Sequence, residues 1–180
     1  DIVGLCNAAK EIIKSQPILQ RIPAPVIVCG DINEHFSNLL KIFETGGHPP
    51  KSSYAFLGNY INDGKQGIET ILLLLAYKVK HPDRIFLLRG SSETTTAVKD
   101  HSFHETCEKK FGMEVWTSLA DLANYLPVAA IIEDKIFCMH GGLNPELVYA
   151  AQISRIGRPT QVPEEGIFIN IQINMLRDFM

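Results

Sequence analysis

The sequence predicts an α/β protein with a mixed sheet flanked by helices. Short apolar runs that end in glycine are typical of buried strands, and helix-patterned segments separate these runs. A later segment, "LPVAAIIEDKIFCMHGG", predicts a β-hairpin with its turn at Asp134–Lys135. Strand–helix–strand units followed by a hairpin are typical of an α/β fold whose sheet holds parallel and antiparallel strands.

The first part of the chain supplies these units in order. Apolar residues at helical spacing predict a helix over residues 1–15, and Pro17 follows it. The run "VIVCGD" predicts a strand that is buried on both faces. The segment "HFSNLLKIFETGG" then predicts an amphipathic helix that stops at its paired glycines.

The middle of the chain repeats the unit, and the tail adds a strand. The strands "SYAFLG" and "RIFLLRG" enclose the apolar helix "KQGIETILLLLAYKVKHP". A helical stretch follows from roughly His101 to Tyr125. The tail segment "IFINIQINM" alternates between apolar and polar residues, which predicts a further strand.

The composition of the chain excludes some classes of protein. The chain has 180 residues, 46% of them hydrophobic and 21% charged, which is enough for one domain with a core. A net charge of −3 without a basic stripe predicts no nucleic-acid partner, and no apolar run is long enough to predict a membrane span. Four cysteines without a CxxC pair predict reduced thiols and a cytoplasmic or nuclear protein.

Polar loops follow four of the predicted strands. They read "GDINEH", "GNYINDG", "RGSSE" and "MHGG". Because the carboxyl ends of strands in open α/β sheets form the binding crevice, we expect these loops to converge on one edge.

In their order and spacing the loops resemble the motifs GDxHG, GDxxDRG, GNHE and HGG of the serine/threonine phosphoprotein phosphatase family, which has a metallophosphoesterase fold. The wider context, including "APVIVCGD" and "RIGRPTQVPEEG", is most similar to the type-1 protein phosphatase catalytic subunit. The resemblance implies the amino-terminal part of a β-sandwich with helices outside. It also implies a single phosphatase-like domain over residues 1–180 that is incomplete at both ends.

The resemblance implies a site for two divalent metal ions, which in this family lie about 4 Å apart and activate the attacking hydroxide. Asp31 and His140 match two metal ligands of the family and are retained. Asn33 stands in place of a ligand histidine, Asn59 in place of the bridging aspartate, and Ser91 in place of a ligand asparagine. These three metal positions are degenerate.

The positions that bind phosphate and donate the proton also differ from the family. Asp63 stands at the position of the phosphate-binding arginine, which inverts the charge there, and Asn62 replaces an aspartate of the same motif. Ser92 replaces the histidine that acts as the acid, while its neighbour Glu93 is retained. No catalytic residue is therefore expected.

These substitutions predict a catalytically inactive type-1-like phosphatase homologue that acts as a binding or scaffolding subunit, with protein partners in a larger assembly. No cofactor is expected; at most one weakly bound Mn²⁺ or Zn²⁺ could use a cleft of acidic and imidazole side chains. That cleft would comprise Asp31, Glu34, His35, Asp63 and His140. The alternative is a divergent metal-dependent serine/threonine phosphatase with residual phosphomonoester hydrolysis.

Overall fold

The structure, a computed structural model, describes residues 1–33, 35–61, 66–94, 102–161 and 167–172. The helices are α1 (Ile2–Ser15), α2 (Phe36–Gly46), α3 (Gly67–Lys80), α4 (Ser102–Phe111), α5 (Met113–Ala123) and α6 (Ile167–Gln172). The strands are β1 (Leu19–Ile22), β2 (Ile27–Cys29), β3 (Tyr54–Phe56), β4 (Ile85–Leu87), β5 (Ala129–Ile132) and β6 (Ile136–Met139). Two 3₁₀ turns cover Ser91–Glu93 and Ala150–Arg155.

The strands form two three-stranded sheets. One sheet has the order β2-β3-β4 and is entirely parallel, with Val28, Ala55 and Phe86 in register. The other has the order β1-β5-β6, in which β1 and β5 are parallel and β5 and β6 are antiparallel. The predicted α/β class with mixed strand directions and flanking helices is confirmed.

The two sheets pack face to face, with helices outside. Side chains from both sheets form one buried cluster between them, as in a sandwich. The members of this cluster are Ile22, Ala55, Phe86, Leu88, Ala130, Ile132 and Cys138. A larger cluster joins the opposite face of the parallel sheet to α1, α2, α3 and α5. The core therefore holds the carboxyl ends of β2, β3 and β4 at fixed positions.

The hairpin is confirmed, and the helical stretch after residue 101 is divided. Glu133 and Asp134 both adopt left-handed backbone conformations in the turn between β5 and β6. Gly112, at φ +89°, separates α4 from α5, because glycine reaches this conformation without steric cost. Leu119 and Leu122 are buried, and Trp116 packs against the same core.

The predictions for strands at the two ends of the chain need correction. Strand β1 follows Pro17 and was not predicted, because its four residues carry no clear alternation. Strand β2 is not buried on both faces: it lies at a sheet edge, where Ile27 is 37% and Val28 45% exposed. Because successive side chains of a strand point to opposite faces of the sheet, the exposure of both residues shows that neither face is fully covered at this edge.

The predicted tail strand is wrong over residues 167–172, which form α6. Phe168 and Ile171 lie three residues apart on one helical face and are buried beside Leu19 and Ala129 of the second sheet. Isoleucines at every second position mimic strand alternation, so the tertiary contact decides the conformation here. Residues 173–175 of the same segment lie outside the described residues.

All four cysteines are buried free thiols. Burial raises the pKa of Cys6, Cys29 and Cys107 to about 11. Among the helices of the described ranges, none has the length and apolar character that crossing a bilayer requires.

Candidate functional site

The loops that follow β2, β3, β4 and β6 meet at one edge of the structure. They bring together six of the sequence-predicted site residues through direct contacts. These are Asp31, Asn59, Ser91, Ser92, Glu93 and His140.

The side-chain amide of Asn59 lies at the centre of this group. Its Nδ2 donates to Oδ2 of Asp31 at 2.9 Å. Its Oδ1 accepts from Oγ of Ser91 at 3.0 Å and from the backbone N–H of Ser92 at 2.9 Å. The hydroxyl of Ser92 is also within 3.0 Å of this oxygen. The amide therefore presents its donor end to a carboxylate and its acceptor end to the two serines.

A carboxylate at position 59 could not make the same contacts. It would place its oxygen where Nδ2 now donates to Asp31, and two ionised carboxylates at hydrogen-bond distance repel each other. The neutral amide removes this repulsion while it keeps the acceptor that both serines use. Asparagine is thus suited to this cleft when no cation separates the two side chains.

Backbone geometry lets the loops after β3 and β4 approach closely. Gly58 has φ +118°, and Asn59 itself is left-handed at φ +56°. A Cβ atom at Gly90 would lie 2.8 Å from Oδ1 of Asn59 and 2.9 Å from Oε2 of Glu93, so only glycine fits between these groups. The position of the Asn59 amide depends on this close approach.

The buried carboxylate of Glu93 joins the same two loops through hydrogen bonds. Its side chain is 1% exposed, and both carboxylate oxygens accept hydrogen bonds. Oε2 accepts from the backbone N–H groups of Asn59 at 2.8 Å and Gly90 at 2.9 Å. Oε1 accepts from the N–H groups of Tyr60 at 2.8 Å and Ile61 at 3.2 Å and from the Ser92 hydroxyl at 3.0 Å. Burial together with the Glu93 charge raises the pKa of Tyr60 well above its ordinary value.

His140 connects Ser91 to Asp31. Its Nε2 is 3.4 Å from Oγ of Ser91, and its Nδ1 is 3.7 Å from Oδ1 of Asp31. The histidine side chain is only 11% exposed, whereas the Asp31 side chain is 49% exposed. Asp31 thus lies at the mouth of the cleft, with His140 behind it.

The other predicted residues are placed less centrally. Asn33 is left-handed at φ +50°, and its backbone N–H donates to the carbonyl of Asn59 at 2.8 Å. His35 is exposed at the start of α2 and makes no side-chain cap there. Glu34, Asn62 and Asp63 lie outside the described residues.

The described residues of the cleft do not fit a two-metal centre. Two dications at short distance would need an anionic bridge, whereas Asn59 is a neutral amide whose Nδ2 donates to Asp31. Among the described ranges, no group of three His, Cys, Asp or Glu side chains is arranged to hold a metal ion. Asp31 and His140, which the sequence resemblance implies as metal ligands, form a carboxylate–imidazole pair within these ranges.

Sequence reasoning missed Arg89, which is fully buried behind the site. Its guanidinium donates to the carbonyls of Glu93 at 3.1 Å and Thr160 at 2.7 Å and to Oδ1 of Asn124 at 3.1 Å. Burial lowers the pKa of Arg89 to about 10, an effect that the Glu93 charge partly offsets. The sequence could have indicated this role, because Arg89 directly follows an apolar strand segment. A cation at such a position is buried with the strand and needs buried hydrogen-bond acceptors.

Comparison with known proteins agrees with this geometry. The calcineurin-like phosphoesterase family matches residues 24–178. A protein serine/threonine phosphatase from Saccharomyces cerevisiae, described as similar to human phosphatase PP5, superposes with a TM-score of 0.91 at 26% identity over 96% of this chain. This chain covers 57% of that yeast protein's length.

A more distant structure shares the fold alone. It is the cold-active protein-tyrosine phosphatase of a psychrophilic Shewanella, with a TM-score of 0.56 and 14% identity over 76% of this chain and 47% of that one. The family match extends over most of the chain and includes all four loops of the site. This chain belongs to the calcineurin-like phosphoesterase family.

Proposed function

We propose that this chain is a catalytically inactive phosphatase homologue, closest to the type-1 serine/threonine class, and that it serves as a binding or scaffolding subunit in a larger protein assembly. One observation carries the proposal. The side chain at the bridging-ligand position, Asn59, is a neutral amide whose two ends are both engaged by neighbouring side chains.

Two metal ions bound in this cleft would repel each other. Two unit charges 4 Å apart interact by about 4 kcal/mol at an effective dielectric of 20, and two dications repel about four times more strongly. A bridging carboxylate offsets part of that repulsion, whereas the Asn59 amide contributes no charge. A metal would also have to break the hydrogen bond between Asn59 and Asp31.

The acid and the phosphate clamp support the same proposal. Ser92, at the family's proton-donor position, is within hydrogen-bond distance of Asn59 and Glu93, and its hydroxyl is a far weaker acid than imidazolium. The sequence places Asp63 where the family binds phosphate with arginine. Each substitution affects a separate part of one mechanism.

The packing that supports a binding role is intact. Buried clusters fill the space between the sheets and beneath the helices, so the surfaces around the cleft rest on a rigid scaffold. We propose protein partners, no required cofactor, and a cytoplasmic or nuclear location that keeps the four thiols reduced.

The second candidate is a divergent phosphatase with a single metal ion. The observation in its favour is the retained pair of Asp31 and His140, whose oxygen and nitrogen lie 3.7 Å apart. One cation bound between these groups would be exposed to solvent through Asp31 and would lack a bridging partner.

An assay with p-nitrophenyl phosphate and Mn²⁺, combined with metal analysis, separates the two candidates. The proposal predicts no turnover above that of an Asp31→Ala and His140→Ala double variant, and no stoichiometric metal. Stoichiometric binding of one or two metal ions, with turnover that disappears in the double variant, would overturn it. A co-purification experiment with the full-length protein, washed at high salt, then tests the scaffolding role. A chain recovered alone under every condition would contradict that role.

A further inference from the structure

A cavity of about 340 Å³ lies beyond the carboxyl-terminal ends of α1 and α5, beside the 3₁₀ turn Ala150–Arg155. None of the six cleft residues lines it, so it is a separate feature of the molecule. Its lining includes two cations, Lys14 and Arg158, and no acidic side chain among the described residues. A cavity of this size is large enough for a small organic ligand or for the last residue of a peptide.

Backbone carbonyls, and not a carboxylate, hold the guanidinium of Arg158. Nη1 donates to the carbonyl oxygens of Tyr125 at 2.7 Å and Ile13 at 3.3 Å, and Nη2 donates to that of Gln16. A guanidinium has five N–H groups, so the Nε–H and one N–H of Nη2 have no acceptor in the part of the chain that the structure describes. Nε and Nη2 form an edge of the guanidinium that can bind both oxygens of a carboxylate.

The positive charge of this region has no strong anionic partner within the described ranges. Burial lowers the pKa of Arg158, and no acidic group of these ranges offsets that effect. The carbonyl dipoles orient the guanidinium but carry no net charge. Nζ of Lys14 is 3.8 Å from Oε1 of Glu11, but these side chains are 55% and 66% exposed, so their ion pair contributes little. An anion in the cavity would therefore be attracted by two cations.

The remaining walls of the cavity are largely apolar. Pro17, Ile18 and Ile156 line it, and Ile18 is buried. The ring of Tyr125 also lines it, with Nζ of Lys14 at 6.0 Å from the ring centroid. Inorganic phosphate would leave these apolar groups uncovered, whereas a ligand with an apolar body would remove them from water. The cavity thus combines an edge that binds carboxylate with an apolar surface.

We propose that this cavity binds a carboxylate that is attached to an apolar group. The two carboxylate oxygens accept from Nε and Nη2 of Arg158, and Lys14 adds a second positive charge. The apolar group packs against Ile18 and Ile156. The carboxyl-terminal residue of a polypeptide has this chemistry when its side chain is apolar, and so does a free organic acid. The proposal does not depend on the scaffolding role, because the cavity and the cleft share no residue.

Isothermal titration calorimetry with two acids and their amides tests the class of ligand. The acids are 3-phenylpropionate and an acetylated tetrapeptide that ends in leucine with a free carboxylate. Each acid should bind at least about 10-fold more tightly than its amide, because the amide loses hydrogen bonds between two charged groups. Binding of the acids should weaken as the salt concentration rises. Tighter binding of the tetrapeptide assigns the site to a polypeptide end, and equal or tighter binding of 3-phenylpropionate assigns it to a free organic acid.

The variant Ser154→Asp tests the location of the site. Ser154 is exposed and lines the cavity, so the substitution should leave the fold intact and place a negative charge beside the bound carboxylate. Both acids should then bind at least about 10-fold more weakly. Ser37→Asp makes the same chemical change at an exposed site on α2 and is the matched control, which should bind both acids normally.

The variant Arg158→Lys tests the paired donors. It keeps the positive charge but removes the edge formed by Nε and Nη2, so it should also weaken binding of both acids. It changes bonds to three backbone carbonyls as well, so its unfolding free energy is measured beside its affinity, and Ser154→Asp decides the question if it does not fold. Equal binding of acids and amides, no binding of either acid at about 10 mM, or acid binding that Ser154→Asp leaves unchanged would contradict the proposal.

Discussion

The substitution Glu93→Gln removes one charge from a buried carboxylate that holds two loops together. Glutamine has nearly the same shape, but one of its terminal atoms is a donor instead of an acceptor. In the native protein Oε2 accepts two backbone N–H groups, from Asn59 and Gly90. Oε1 accepts two further N–H groups and a hydroxyl. Either orientation of the glutamine amide therefore sets an NH₂ group against at least two donors.

The cost can be estimated from these contacts. A hydrogen bond to a charged group contributes about 1.5–3 kcal/mol, and two such bonds are lost in the better orientation. The expected decrease in the free energy of unfolding is therefore about 3–6 kcal/mol. The free energy of unfolding of a typical domain is only about 5–15 kcal/mol, so this loss is a large part of it. The variant should therefore be close to unfolding at room temperature.

Urea denaturation followed by the fluorescence of Trp116, which is the single tryptophan of the chain, measures this change. Glu114→Gln on the exposed face of α5 is the matched control, because it makes the same chemical change without a buried partner. The control should alter the free energy of unfolding by less than about 0.5 kcal/mol. A loss of less than about 1 kcal/mol for Glu93→Gln would refute the role given to this carboxylate.

Three further predictions concern Asn59, Lys78 and the cysteines. Asn59→Asp should destabilise the metal-free protein by about 2–4 kcal/mol in thermal or urea denaturation, because the bond to Asp31 becomes a contact between two carboxylates; a variant as stable as the wild-type protein in the presence of EDTA would contradict the role given to the Asn59 amide. Burial lowers the pKa of Lys78 from 10.5 to about 8. Between pH 8 and pH 10.5 the unfolded chain therefore keeps a proton on Lys78 that the folded protein has released. Unfolding free energies should therefore rise from pH 8 to pH 10.5 relative to a Lys78→Met variant, by roughly 3 kcal/mol; a flat difference between the two proteins would refute this. The four buried thiols should react with a disulfide reagent at pH 8 no faster than the protein unfolds, and rapid labelling of the native state would contradict their burial.

Elements whose signals are local could be predicted from the sequence. Helices α2 and α3 carry an apolar stripe or an apolar run of sufficient length, and the hairpin carries a polar turn between two apolar segments. Strand β2 and helix α6 were misjudged because their environment depends on residues distant in sequence. The three apolar residues of β2 do not show whether the strand lies at the edge or in the middle of a sheet. The segment "IFINIQ" fits the periodicity of a strand and that of a helix, and only its packing partners decide between them.

The candidate site could likewise be predicted only in part. The identities and convergence of Asp31, Asn59, Ser91 and His140 follow from loops placed after strands. The hydrogen-bond partners do not follow, because they depend on side-chain directions and on the close approach of the loops at Gly58 and Gly90. The buried cation Arg89 is a further case, since its three acceptors come from widely separated segments.

The residues of the cleft depend on one another through hydrogen bonds, which determines how a change at one position affects the others. Asn59 uses its side-chain carbonyl oxygen to accept from Ser91 and Ser92, so these three residues satisfy each other. A single change disturbs a neighbour: Asn59→Asp sets a second carboxylate against Asp31, and Ser92→His removes the small hydroxyl that fits beside Glu93. Because contacting substitutions are not additive, single reversions should each destabilise the protein, and only combined reversions could lower the cost of introducing a metal.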